Sequence, residues 1–174
     1  EMEKEFDKAF IQEKAIYKRM GNQDLRAIID LAEITLDEKD YPNAEQIINF
    51  LIEKSVTPSA KIQGHQYLMK IRLATAQEKD YTKIAQEFET LLDLYGRGGQ
   101  SYLLQIDYNH FLAFFANEVS LAISNLKNLI KKPLDPYQES RVKMELADIL
   151  VFDEKFNRAL IYYSQIQNKV KSDV

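Results

Sequence analysis

His65 and His110 are the only imidazoles in the chain, and cysteine is absent. Two imidazoles can ligate a metal, but metal sites bring their ligands at tight spacing, as in two His one helical turn apart. His65 and His110 have no such spacing, and a site would need added carboxylates such as Asp107. Without cysteine there is no disulfide, no thiolate ligand and no thiol nucleophile, and every compartment stays open. General acid–base work needs a carboxylate whose pKa is shifted by burial or by a neighbour. The acidic runs Asp37-Glu38-Lys39-Asp40 and Glu78-Lys79-Asp80 read instead as solvated turns. Gly96-Arg97-Gly98-Gly99 has the backbone freedom to cradle an anion and precedes a helix. It lacks the Lys-Ser/Thr of a phosphate loop and follows a helix rather than a strand, so its simpler role is a helix stop and linker. These residues assign no catalytic group, no metal and no cofactor.

The aromatic group Tyr108, Phe111, Phe114 and Phe115 is different. At 3.6 residues per turn these positions cannot all face one way. One side meets the core and the other is available to line a groove. Core use is the simpler account for most of them, because large apolar residues are usually inside.

Composition sets the elements that must position these groups. Apolar residues make up 45% of the 174 and charged residues 29%, the balance of a folded chain. Only 5 Gly and 4 Pro are present, which favours long helices over a loop-rich β fold. The net charge is −4, with no basic run of five, which argues against nucleic acid as a partner. No apolar run is long enough to cross a membrane, so no membrane insertion is expected. Glu1-Met2-Glu3-Lys4-Glu5 lacks the apolar stretch of a signal peptide, and a start at Glu suggests an excised piece.

Apolar spacings of three and four predict a helix over 3–20, stopped by Gly21-Asn22. Helix pairs follow over 24–55, 58–95, 100–132 and 136–171. The word Glu38-Lys39-Asp40-Tyr41-Pro42-Asn43-Ala44 returns as Glu78-Lys79-Asp80-Tyr81-Thr82-Lys83-Ile84 and as Asp153-Glu154-Lys155-Phe156-Asn157-Arg158-Ala159. Anchored on Phe6, Tyr41, Tyr81, Val119 and Phe156, the intervals are 35, 40, 38 and 37 residues. Near-constant spacing with drift is the signature of helical repeats whose loops vary in length.

The pattern resembles the tetratricopeptide repeat, a pair of antiparallel helices of about 34 residues. The last unit carries Leu146-Ala147, Leu150, Phe156, Ala159 and Tyr163 at that family's spacings, and the first full unit carries Leu31-Ala32, Tyr41, Ala44 and Ile48. The second keeps Ile71, Tyr81, Ile84 and Phe88 but has Arg72 at the small position. The third has Asn109-His110 where Leu and a small residue belong, with Ala122 and Leu126 in place. The family's Trp is missing, and its closing Pro is met only by Pro58 and Pro133. The stretch Lys155–Tyr163 is also similar in style to large envelope-associated repeat proteins of Gram-negative bacteria, which favours a periplasmic or envelope location over a cytoplasmic one.

The resemblance implies an all-α fold, a right-handed superhelix of stacked antiparallel helix pairs forming one domain over 1–174. It implies a non-catalytic scaffold whose partner is another protein or peptide, laid along a concave groove lined by the first helix of each pair. Carried onto this chain, the groove positions are Arg26, Ile29, Glu33 and Asp37; Gln66, Met69, Leu73 and Gln77; Leu104, Asp107, Phe111 and Phe114; and Arg141, Met144 and Asp148. Arg26 and Arg141 would serve as carboxylate clamps. The rival expectation is a spacer that positions other domains and binds nothing. A half unit at one end and no capping helix at the other make the chain read as part of a longer repeat array.

Overall fold

Charged turns alternate with amphipathic stretches, and the turns set where each helix starts and stops. The computed structural model describes the backbone of residues 2–19 and 25–172, and the side chains of 5–19 and 25–167. The expected stop at Gly21-Asn22 lies outside the described residues, as do Met20 and Asp173-Val174. All regular structure among the described residues is helical. The chain divides after Thr75 into two compact units, a boundary that falls between the two helices of the expected 58–95 pair.

The first unit holds α1 (Met2–Arg19), α2 (Arg26–Asp37), α3 (Tyr41–Lys54) and α4 (Pro58–Thr75). Helix α2 packs on α3 and α3 on α4, while α1 lies against both α2 and α3. Ile28, Leu31 and Ala32 of α2 meet Ala44, Ile47, Ile48 and Leu51 of α3 in a core completed by Phe10, Tyr67 and Ile71. Phe50 takes the ring edges of Phe10 and Tyr17, each at 5.7 Å. Buried Gly64 lets α3 and α4 approach closely: a Cβ there would stand 2.5 Å from Ile52 Cγ1.

The second unit holds a 3-10 turn (Glu78–Asp80), α5 (Tyr81–Tyr95), a second 3-10 turn (Gly99–Ser101), α6 (Tyr102–Phe114), α7 (Val119–Ile130), α8 (Pro136–Phe152) and α9 (Phe156–Ser172). Packing runs α5 on α6, α6 on α7, α7 on α8 and α8 on α9, with α6 also against α8. Phe88 stacks on Tyr108 at 5.0 Å and on Phe111 at 6.2 Å. Tyr81, the aromatic of the repeated word, sets its ring edge on Phe111 at 5.4 Å.

The turns explain the repeated word. Lys39, Asn117 and Glu154 have φ of 59, 57 and 56°, each two positions before an anchor residue, Tyr41, Val119 or Phe156. At Lys39 and Glu154 the next N–H reaches back to the carbonyl of Thr35 or Leu150, satisfying helix-end carbonyls in a Schellman turn. The copy at 78–80 instead forms the first 3-10 turn, in which Gln77 N–H donates to Asp80 at 3.0 Å. Three positions after the last four anchors, Ala44, Ile84, Ala122 and Ala159 are all buried, while Ala9, three after Phe6, is half-buried. Starts are capped too: Asp135 accepts from Gln138 N–H at 2.8 Å, Gln138 answers to Asp135 N–H at 3.1 Å, and Pro136 opens α8. Gly96, at φ 80°, stops α5.

Candidate functional site: an aromatic and acidic face on α6 and α8

On α2, Arg26, Glu33 and Asp37 are exposed. Glu33 accepts a hydrogen bond from the Tyr67 hydroxyl, and Tyr67 also receives one from Gln63 at 2.8 Å. Burial first, and the bond to Glu33 second, push the Tyr67 phenol up to about 12. Glu33, Asp37 and Tyr67, with Leu36, Tyr41, Lys70 and Ala74, line a cleft of about 360 Å³. Gln66 and Met69 do not reach it as surface residues, because both are buried. Tyr67 and Ile71 beside them are buried as well, so α4 is covered round much of its girth. Leu73 is half-buried, as is Ile29, while Gln77 lies exposed before the first 3-10 turn.

In the second unit, two expected groove residues belong to the core. Leu104 and Phe111 have no exposed surface. Phe111 sits among Tyr81, Phe88 and Phe115, so its ring holds helices together rather than facing a partner. The physical reason is packing: α6 lies against α5, α7 and α8, and Leu104, Tyr108 and Phe111 are enclosed by them.

The remaining expected residues converge. Helix α6 presents Asp107, His110 and Phe114 in steps of three and four, and α8 presents Arg141, Met144, Glu145, Asp148 and Phe152 in the same way. His110 Nδ1 lies 2.9 Å from Glu145, tying the two helices together. The His110 ring lies 4.4 Å from Phe114, and Phe114 lies 4.8 Å from Phe152. Met144, Phe152 and the neighbouring Phe115 are 44, 54 and 53% exposed, so this is apolar surface in water. Glu145 raises the His110 pKa above its ordinary value through the hydrogen bond, burial opposes this, and Asp107 and Asp148 add to the rise. Tyr163 of α9 donates to Asp148 at 2.5 Å, a bond that lifts its phenol to about 12. The face is thus an aromatic strip with an acidic border of Asp107, Glu145 and Asp148 and with Arg141 towards one end.

The sequence reading missed His110, Glu145 and Phe152 as members of this face. Glu145 and Phe152 stand one turn from Arg141 and Asp148, so the stripe itself was the available signal. It also missed a second cavity in this unit, a polar cleft of about 380 Å³ among α5, α6 and α7. A third exposed feature is apolar, with Val151 on α8 and Phe156, Leu160 and Ile161 on α9. Among the described residues no cluster of three or more His, Asp or Glu is placed to hold a metal ion, and no helix is long and apolar enough to cross a membrane. Compared with protein-family models, with curated proteins and with solved structures, the chain matches none.

Proposed function

We propose that this chain is a non-catalytic interaction module that binds a basic, amphipathic peptide or helix along the α6–α8 face. In this reading α6–α7 and α8–α9 are degenerate tetratricopeptide-like pairs, stacked with the right-handed turn of that architecture. Support comes from the contact of alternate helices α6 and α8 and from the buried small residues Ala122, Ala147 and Ala159. The observation that carries the function is exposed Met144 and Phe152 beside half-buried Phe114, bordered by Asp107, Glu145 and Asp148. Apolar side chains rimmed by like charge are an interaction surface, and carboxylates select Lys and Arg on the partner. Helix-in-groove binding uses such a face, with anchors every three or four residues.

Selection of a displayed random peptide library on the immobilised chain tests this. Peptides combining Lys or Arg with Leu, Phe or Trp should be enriched. Their affinity should fall at least tenfold in the double variant Met144→Glu/Phe152→Glu and stay unchanged in Val56→Glu, an exposed site in the first unit. Absence of enrichment, or equal binding by both variants, would favour the spacer instead.

A further inference from the structure

The polar cleft of the second unit is built unlike the face just described. Buried Leu92 and Leu129 and the ring of Tyr108 line it, the Tyr108 hydroxyl being bonded to Glu89. Its wall is a row of carboxamides: Gln105, Asn109, Asn125 and Asn128. Its rim is cationic, from Arg97, Lys131 and Lys132.

The buried members of the row are committed to holding it in place. Gln105 Nε2 donates to Gly98 C=O and to Ser101 Oγ, each at 3.0 Å. Asn109 Nδ2 donates to Gln105 C=O at 2.7 Å, and Asn109 Oδ1 accepts from Asn125 Nδ2 at 3.0 Å. Asn125, which lines the cleft, is thereby oriented, and no hydrogen bond among the described residues engages its Oδ1. Arg97 is committed as well, to Glu89 at 2.5 Å and Asp93 at 3.0 Å, so it occupies the nearby carboxylates. Among the described residues no hydrogen bond or ion pair engages the side chains of Asn128, Lys131 or Lys132. Two ammonium groups, one free carboxamide and one oriented acceptor therefore border a space of small-ligand size.

We infer that this cleft binds a small organic acid that carries a hydroxyl or amide N–H beside its carboxylate. The carboxylate pairs with Lys131 and Lys132, the donor goes to Asn125 Oδ1 or Asn128 Oδ1, and the carbon skeleton covers Leu92 and Leu129. Lys suits this task as a mobile point charge that needs no fixed fork geometry. Acetate would satisfy the lysines but has no donor for the carboxamide oxygens, which sets the discrimination the site should show.

The test is titration of the isotopically labelled chain with N-acetylglycine and with acetate, followed by amide NMR. N-acetylglycine should give saturable shifts in the Asn125 and Asn128 side-chain signals, with acetate at least tenfold weaker. Lys131→Glu/Lys132→Glu should weaken N-acetylglycine at least tenfold. Asn128→Leu should erase its advantage over acetate. All three positions are half-buried or exposed without partners, so folding is preserved, which the spectrum itself reports. No saturable shift up to about 0.1 M, far above the millimolar range expected of so small a ligand, would overturn the site. Equal binding of acetate and N-acetylglycine would overturn the role given to the carboxamides.

Discussion

Arg72 and His110 occupy the same position in two successive copies of the repeat, where the other copies have Ala32 and Ala147. Each replaces a small packing residue with a charge-bearing one, and each finds a Glu: Arg72 meets Glu45 at 2.8 Å and His110 meets Glu145 at 2.9 Å. The His110 pair makes a pH prediction. Its folded-state pKa is raised from 6.5, so its stabilisation is complete below 6.5 and fades as pH rises through the folded value. The stability gap between the native chain and Glu145→Gln, measured by denaturant unfolding, should narrow with rising pH. Because His110 is half-exposed, the gap stays below about 1 kcal/mol. His65 moves the other way, lowered first by burial and then by Lys61, but it is common to both proteins and cancels. A gap that widens with pH would refute the pairing. Phe111→Ala, by contrast, removes core and should cost about 3–5 kcal/mol. Gly64→Ala should also destabilise, by about 1–3 kcal/mol, because its Cβ would overlap Ile52. Ile52→Ala removes the overlapping Cγ1, so the penalty of Gly64→Ala should be smaller in that background.

At the scale of the element, the charged words proved to be turns. Their Lys39 and Glu154 positions hold non-Gly residues in the left-handed region, which costs roughly 1–2 kcal/mol. Glu154→Gly relieves that strain at an entropic cost of roughly 0.5–1 kcal/mol, so stability should rise slightly. The same change in the second copy, Lys79→Gly, falls within a 3-10 turn without positive φ and should only destabilise. Thermal unfolding of the two variants separates the outcomes, and a gain at Lys79 would show that the turn geometries are misassigned. Ala159→Leu should cost about 1–3 kcal/mol by overpacking the buried small-residue position on α9. These positions were legible in advance because helix caps and small-residue contacts are local and recur with the repeat. The groove positions were less so. Residue spacing shows which side chains share a stripe, but Gln66, Met69, Leu104 and Phe111 were buried by neighbours that no spacing reveals.

For the whole molecule, the division after Thr75 yields a direct expectation. Residues 76–174 contain their own core, including Phe88, Phe111, Leu126 and Leu146, and should unfold cooperatively when expressed alone. A broad, gradual transition in circular dichroism would contradict it. The sequence by itself determined the helices, their order, their turns and the buried small positions, because those follow from local propensity and a repeated pattern. It also excluded thiol chemistry and disfavoured nucleic acid on composition. Only the tertiary structure decided which apolar residues remain in water and which polar ones meet. The His110–Glu145 link, the Phe114–Phe152 strip and the carboxamide cleft join residues from separate helices. Their meeting depends on how those helices pack, and packing is a property of the folded chain rather than of any one stretch.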